Sequence, residues 1–349
     1  MADATEPPIP ALAPVAGTVD RVKDGTKLIK IAAAWLLLLM LAVAASIVTI
    51  SIVNSREFGP EKTVANYLDA LKAGDGAKAL GLLQAKVPSA DAAALDGEAL
   101  EKSQDALKNV SIGEAVTSSD NQKIVTVNYT MGNAPFRTDF TLTQGPKHWL
   151  FFDSWTMLPG TLPTINASVV NANQASINGA AANMPDGKNS FAVFYPGSYE
   201  LEYRSELFAA APVTRQVIGP GQPIPAVGLS TGPTSDLLAQ VDGTIRKYLD
   251  ACAKQAVLMP TGCPLNAATN NRVVSAVKWS ILEYPAITIS PYGGQWIMAP
   301  LSVKAQVEYT EQDLFSGLVA PVKSADDFAF NAKLSITGTT VVVTPQLAD

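Results

Sequence analysis

Histidine and cysteine are nearly missing from this chain: it has one His and two Cys in 349 residues. So few ligating side chains exclude a disulfide-scaffold architecture and a multi-cysteine zinc ribbon, and a lone His cannot build a histidine-based metal site. Charge is also sparse, at 16% of residues with a net of -6, so there is no basic footprint for nucleic acid. No phosphate loop, dinucleotide fingerprint, EF-hand or HExxH occurs, and nothing calls for a cofactor. What is abundant is apolar residues, 48% of the chain, with 24 Gly and 24 Pro. That composition is globular and leans toward strands and turns.

The apolar residues concentrate first between Ile31 and Val53, a stretch without a charge. As a helix it reaches roughly 35 Å, enough to cross a hydrocarbon core of about 30 Å. Arg21, Lys23, Lys27 and Lys30 precede it, whereas Arg56 and Lys62 after it are offset by Glu57 and Glu61. The basic excess predicts a cytoplasmic N-terminus and translocation of the rest. A cleaved signal peptide is the competing reading, because Ala42-Val43-Ala44 has the small-x-small form. The apolar run continues past it through Ile47, Val48, Ile50 and Ile52, which favours an uncleaved anchor. Ala42/Ser46 and Ala45/Thr49 are small-xxx-small pairs that could support helix pairing. Residues 1–30 read as a disordered Ala/Pro-rich tail.

Beyond the anchor the hydrophobic period switches twice. Val64, Tyr67, Leu68 and Leu71 form a helical stripe, with a second short helix at Leu80–Leu83 and a third near Ala99–Leu107. Alternation then marks strands at Val125–Met131 and Phe136–Leu142, with a last strand expected over His148–Thr156. From 159 to 231 short strands are expected at 165–170, 191–194, 199–204 and 212–218, ending in the Pro-rich linker Gly219–Pro225. After Pro233 a helical face of Leu238, Val241, Ile245, Tyr248, Leu249 and Cys252 is followed by strands at 273–284, 296–309, 328–336 and 339–344. The predicted fold class is α+β. Its parts are one transmembrane helix (31–53), an α+β cone-like domain (58–158), a small β domain with linker (159–231) and a second α+β cone-like domain (233–345).

Two short motifs carry a family resemblance. Glu61-Lys62-Thr63-Val64-Ala65-Asn66-Tyr67-Leu68-Asp69-Ala70-Leu71-Lys72-Ala73-Gly74-Asp75, followed by a meander, resembles the opening of nuclear-transport-factor-like cone domains. Phe194-Tyr195-Pro196-Gly197-Ser198-Tyr199-Glu200 resembles the small β domain of TcaA-type envelope proteins of Gram-positive bacteria, which are associated with teicoplanin susceptibility. Their order of anchor, cone-like domain, small β domains and C-terminal cone-like domain is similar to this one over residues 31–345. The resemblance implies a non-catalytic cell-envelope factor, and the Ala-rich composition points to an actinobacterial relative. That family often carries an N-terminal zinc ribbon, for which this Cys-free tail has no ligands.

Candidate chemistry is thin. Cys252 and Cys263, both on the translocated side, are expected to form a structural disulfide pinning a helix end to the next loop. Gly228-Leu229-Ser230-Thr231-Gly232 matches G-x-S-x-G, but Pro223, Pro225 and Pro233 surround it and His148 precedes it, so a linker turn is expected. His148 beside Pro146-Lys147 reads as a solvated or capping residue at a turn. Asn109, Asn128 and Asn166 head glycosylation sequons. The best enzyme argument is Asp153, placed by alternation on one strand face with Trp149, Phe151 and Trp155, a candidate ligand pocket with a carboxylate. The leading expectation is a non-enzymatic, single-pass membrane protein whose outer region binds a cell-envelope protein or wall component. The alternative is a cone-fold enzyme or lipophilic carrier using the Asp153 face. A sensor relaying outside events inward is a third. Everything after residue 53 carries the whole net charge, a poor match to acidic wall polymers.

Overall fold

A computed structural model of the protein describes residues 22–147, 149 and 151–347. The chain divides into two compact units, Met1–Gly59 with Gly145–Ser154, and Pro60–Gln144 with Trp155–Asp349.

The smaller unit is built on helix α1 (Val22–Glu57), which reaches back beyond the expected start at Ile31. Residues 1–21 of the expected tail lie outside the described residues. Lys27–Asn54 is long and apolar enough to cross a membrane, and none of its apolar window is covered by protein. The hydroxyls of Ser46 and Thr49 donate to the carbonyls of Ala42 and Ala45, each at 2.8 Å. Their polarity is absorbed by the helix's own backbone.

The larger unit begins with α2 (Pro60–Lys72), whose buried face contains the predicted Val64, Tyr67, Leu68 and Leu71. Asp75 caps α3 (Gly76–Leu83), accepting from the Lys78 amide. Strand β1 (Ala85–Lys86) precedes α4 (Gly97–Gln104). The strands that follow are β2 (Leu107–Ile112), β3 (Val116–Ser119), β4 (Gln122–Met131), β5 (Ala134–Gln144), β6 (Trp155–Met157) and β7 (Gly160–Thr161). One antiparallel sheet runs β2-β4-β5-β6, with β3 also on β4, while β1 pairs with β7. Val125 sits opposite Phe140 and Val127 opposite Thr138, so the buried residues of both strands share the face under the helices. The strand expected over His148–Thr156 is shorter: regular pairing starts only at Trp155.

Next comes a sandwich of β8 (Thr164–Val169), β9 (Gln174–Ile177), β10 (Ala180–Asn183), β11 (Lys188–Ala192), β12 (Gly197–Arg204), β13 (Phe208–Val217), β14 (Val227–Leu229) and β15 (Thr231–Pro233). Its sheets are ordered β10-β9-β12-β13-β15 and β11-β8-β14. Gly228–Gly232 is therefore not a linker turn. Its two halves are strands, one parallel to β8 and one antiparallel to β13. The β9–β10 hairpin, absent from the sequence reading, turns at Asn178-Gly179 with φ of +50° and +87°, the left-handed pair that a tight hairpin needs.

The remainder is α5 (Ser235–Ala253) with β16 (Arg272–Val273), β17 (Lys278–Glu283), β18 (Ile289–Tyr292), β19 (Gln295–Met298), β20 (Leu301–Gln312), β21 (Val319–Thr337) and β22 (Thr340–Leu347). Thr234 caps α5, and its core face is Leu237, Val241, Ile245, Leu249 and Cys252, so Leu237 rather than Leu238 leads the stripe. The sheet runs β16-β20-β21-β22, with β17 also on β20, and β18 pairs with β19. β21 pairs with β20 along Val319–Phe330 and with β22 only from Phe330 to Thr337.

Two hydrophobic cores result. The first runs from Val64 to Leu229 and is shared by the helices, their sheet and the sandwich. The second joins α5 and its sheet to Leu207 and Phe208, and Phe208 stacks on Trp296 at 4.1 Å. The fold is α+β, rich in sheet and with few helices.

Candidate functional site

Four residues were expected on one face, and two of them instead project into solvent. Trp149 is 85% exposed and Phe151 54% exposed. Asp153 pairs with Lys147 at 3.6 Å. Its backbone amide donates to Asn54 Oδ1 at 3.2 Å, while Asn54 Nδ2 donates to the Phe151 carbonyl at 2.9 Å. The side-chain amide of Asn54 thus takes the backbone groups that a neighbouring strand would have used, which is why this stretch is a turn. Phe152 stacks on Phe58 with ring centroids 4.6 Å apart. Trp155 begins β6 in the larger unit, half-buried against the first core, with Lys123 Nζ 5.0 Å from its ring centroid. The alternation that would align positions 149, 151, 153 and 155 does not form. His148 lies outside the described residues.

Cys252 and Cys263 form the expected disulfide, with an S–S distance of 2.02 Å. It closes a loop also held by Tyr248 Oη donating to the Gly262 carbonyl and Trp279 Nε1 to that of Val257. Ser230 is exposed between β14 and β15, four residues short of the α5 cap, not at the strand-to-helix corner a nucleophile elbow requires. Among the described residues no group of three His, Cys, Asp or Glu side chains is placed to hold a metal.

The sequence reading missed the motif's structural role. The buried carbonyls of Phe194, Tyr195 and Pro196 each accept from a side chain: Tyr199 Oη at 2.9 Å, Tyr67 Oη at 2.6 Å and Gln104 Nε2 at 3.0 Å. The donors come from the sandwich, α2 and α4, so the motif fastens helices to sandwich. Burial pushes the Tyr67 and Tyr199 phenols far above their ordinary pKa and raises that of Tyr195 to about 12. Asn178 adds a further tie, donating to the Ala99 carbonyl at 2.9 Å and accepting from the Glu200 amide at 2.8 Å.

Among the described residues, three surface features stand out as open to a ligand. An open groove of about 530 Å³ is lined by Tyr309, Ser324, Asp326, Asp327 and Phe328. Another, about 500 Å³, lies on the β8–β11–β14 sheet with Asn166, Ser168, Lys188 and Ser190. Neither includes Asp153, Trp149, Phe151 or Trp155. The third is the turn between β20 and β21, where Leu314, Phe315, Leu318 and Val319 are all exposed. The turn is ordered: Asp313 Oδ1 accepts from the amides of Phe315 and Ser316 and from the Ser316 hydroxyl at 2.7–3.0 Å. These hydrogen bonds hold the Asp313 carboxyl below its usual pKa. Gly317, at φ +76°, supplies the left-handed position that closes it.

No family model and no curated protein matches this chain. Among solved structures it is similar to an "Ntf2 like protein involved in plasmid conjugation", at 10% identity over 69% of this chain and 77% of that one, with a TM-score of 0.16. A TM-score that low carries no inference about fold or function.

Proposed function

We propose that this is a non-enzymatic, single-pass membrane protein whose C-terminal region lies outside the cytoplasm and binds a protein of the cell envelope. The uncovered Leu-rich surface of α1 supports the anchor, since lipid would supply the apolar environment the protein does not. A cut after Ala44 would leave Ile47, Val48 and Ile52 in water, which favours the uncleaved form. The basic residues Lys23, Lys27 and Lys30, ahead of the apolar run at the N-terminal end of α1, favour an N-terminus in the cytoplasm. The cone-like reading of the two α+β parts, and with it the TcaA-type order, is supported by a helix lying against an antiparallel sheet in each.

The observation that carries the binding reading is the β20–β21 tip. Exposed Leu and Phe on a turn already fixed by hydrogen bonds enter a cleft with little ordering cost, the property of an interface anchor. Glu311 and Asp313 beside it disfavour anionic lipid or wall polymer and point to a protein cleft. The competing pocket reading is disfavoured by Trp149 and Phe151, which are exposed rather than gathered around Asp153.

A photo-crosslinking amino acid at Phe315, in native membranes, tests this. A discrete protein adduct that disappears with Leu314→Ser and Leu318→Ser, and is absent for the same probe at exposed Val116, is the expected result. A lipid adduct, or none, overturns the assignment.

A further inference from the structure

Within Gly145–Ser154, the backbone at Phe151 and Asp153 is fastened to one particular place, the C-terminal end of the apolar helix. Asn54 is the last residue of the 28-residue apolar segment. It is bonded at both ends of its side-chain amide to this segment, and Phe58, one turn later, stacks on Phe152. At 1.5 Å per residue the apolar segment is roughly 42 Å long, matching the thickness of a bilayer including its headgroup regions. Asn54 therefore lies at headgroup depth. The Phe151 carbonyl, 2.9 Å from its amide nitrogen, lies there too.

That layer is where Trp and other aromatic side chains concentrate in membrane proteins, because one end of the ring meets acyl chain and the other meets water. Among the described residues of the segment, Trp149 and Phe151 are exposed apolar side chains, whereas Phe152 is spent on Phe58. Trp149 also holds a φ of +50°, a conformation disfavoured for a bulky residue and tolerated where position matters more than local stability. The Lys147–Asp153 pair closes the base of the segment with groups suited to the aqueous side.

We propose that Trp149 and Phe151 form a membrane-interface anchor, entering the headgroup–acyl boundary beside the end of α1. The ligand is the phospholipid bilayer that α1 crosses, so the inference rests on α1 being a membrane span. Asn54 is the positioning residue. It sets the depth at which the aromatics enter.

The test uses the full chain reconstituted into phosphatidylcholine vesicles containing lipids brominated either near the headgroup or near the acyl terminus. In a Trp35→Phe background, fluorescence quenching by the shallow bromines is expected, and it is lost in Trp149→Phe and reduced in Asn54→Ala. Trp149 is exposed, so its replacement leaves the fold intact. With Trp35 restored, quenching by the deep bromines reports whether α1 spans the bilayer. Deep quenching of Trp35 with no shallow quenching from Trp149 overturns the interface anchor while leaving the span. Failure of both overturns the span reading and the anchor with it.

Discussion

Replacing Tyr67 by Phe removes one oxygen and changes little else in shape. In the folded protein that oxygen lies 2.6 Å from the Tyr195 carbonyl, in a position with no exposed surface. Tyr67→Phe leaves the carbonyl buried without a donor, a loss of about 1–3 kcal/mol. With a urea dependence of about 2 kcal/mol per molar, the unfolding midpoint should fall by roughly 0.5–1.5 M. The assay is urea unfolding of the full chain in detergent, followed by near-ultraviolet circular dichroism. Tyr292→Phe serves as the control, because Tyr292 is exposed. The same core spans helices and sandwich, so both should lose structure in one transition. Gln104→Leu strands the adjacent Pro196 carbonyl, and combining it with Tyr67→Phe should give a non-additive effect, since the two acceptors are neighbours. A midpoint unmoved relative to Tyr292→Phe, or a sandwich that unfolds separately, refutes the reasoning.

Three other outcomes are expected. Tyr67, Tyr195 and Tyr199 keep their protons in the fold beyond the ordinary phenol range, so their contribution is fully present below about pH 10 and is lost as pH rises through the folded values, about 12 for Tyr195. Stability should fall by up to about 1.4 kcal/mol per pH unit for each of them above pH 10, measured as the urea midpoint against pH, and Tyr67→Phe should flatten that slope. A Cβ on Gly76 would lie 1.8 Å from the Leu95 carbonyl oxygen, so Gly76→Ala should cost about 1–3 kcal/mol in the first core, read by thermal unfolding. Reducing the Cys252–Cys263 bridge, whose loop spans a separation of 11 residues, should cost about 3 kcal/mol, with hydrogen exchange rising around α5 and not in the first core.

The helices were legible because their stripes are long: every residue of the Val64–Leu71 pattern is buried, and in α5 the face is shifted only slightly, with Leu237 buried and the expected Leu238 and Tyr248 partly buried at its margin. Alternation likewise located β4 and β5, where bulky residues occupy every second position. It failed where strands lack bulk. Apart from Ile177 the β9–β10 hairpin is written in Ala, Gln, Ser and Asn, so its Asn-Gly turn had little flanking pattern to anchor it. β21 was read too short because Pro321 and the Asp326-Asp327 pair interrupt its pattern; Pro321 lies where β20 is the strand's only partner. The strand expected through Trp149 and Trp155 was misread for a different reason. Alternation treats a short aromatic segment as strand and cannot register that an Asn almost a hundred positions earlier in the chain takes its backbone hydrogen bonds.

Because β21 outruns β22, the stretch from Val319 to Ala329 has backbone partners on one side only. An unguarded edge of that length is a template for strands of neighbouring molecules. Here the edge carries Pro321, which has no amide to offer, followed by exposed Lys323, Asp326 and Asp327. A second copy approaching edge to edge would have to desolvate those charges and would find a gap in the hydrogen-bond ladder. The residues that hid this strand from the sequence reading are the ones that keep it solitary.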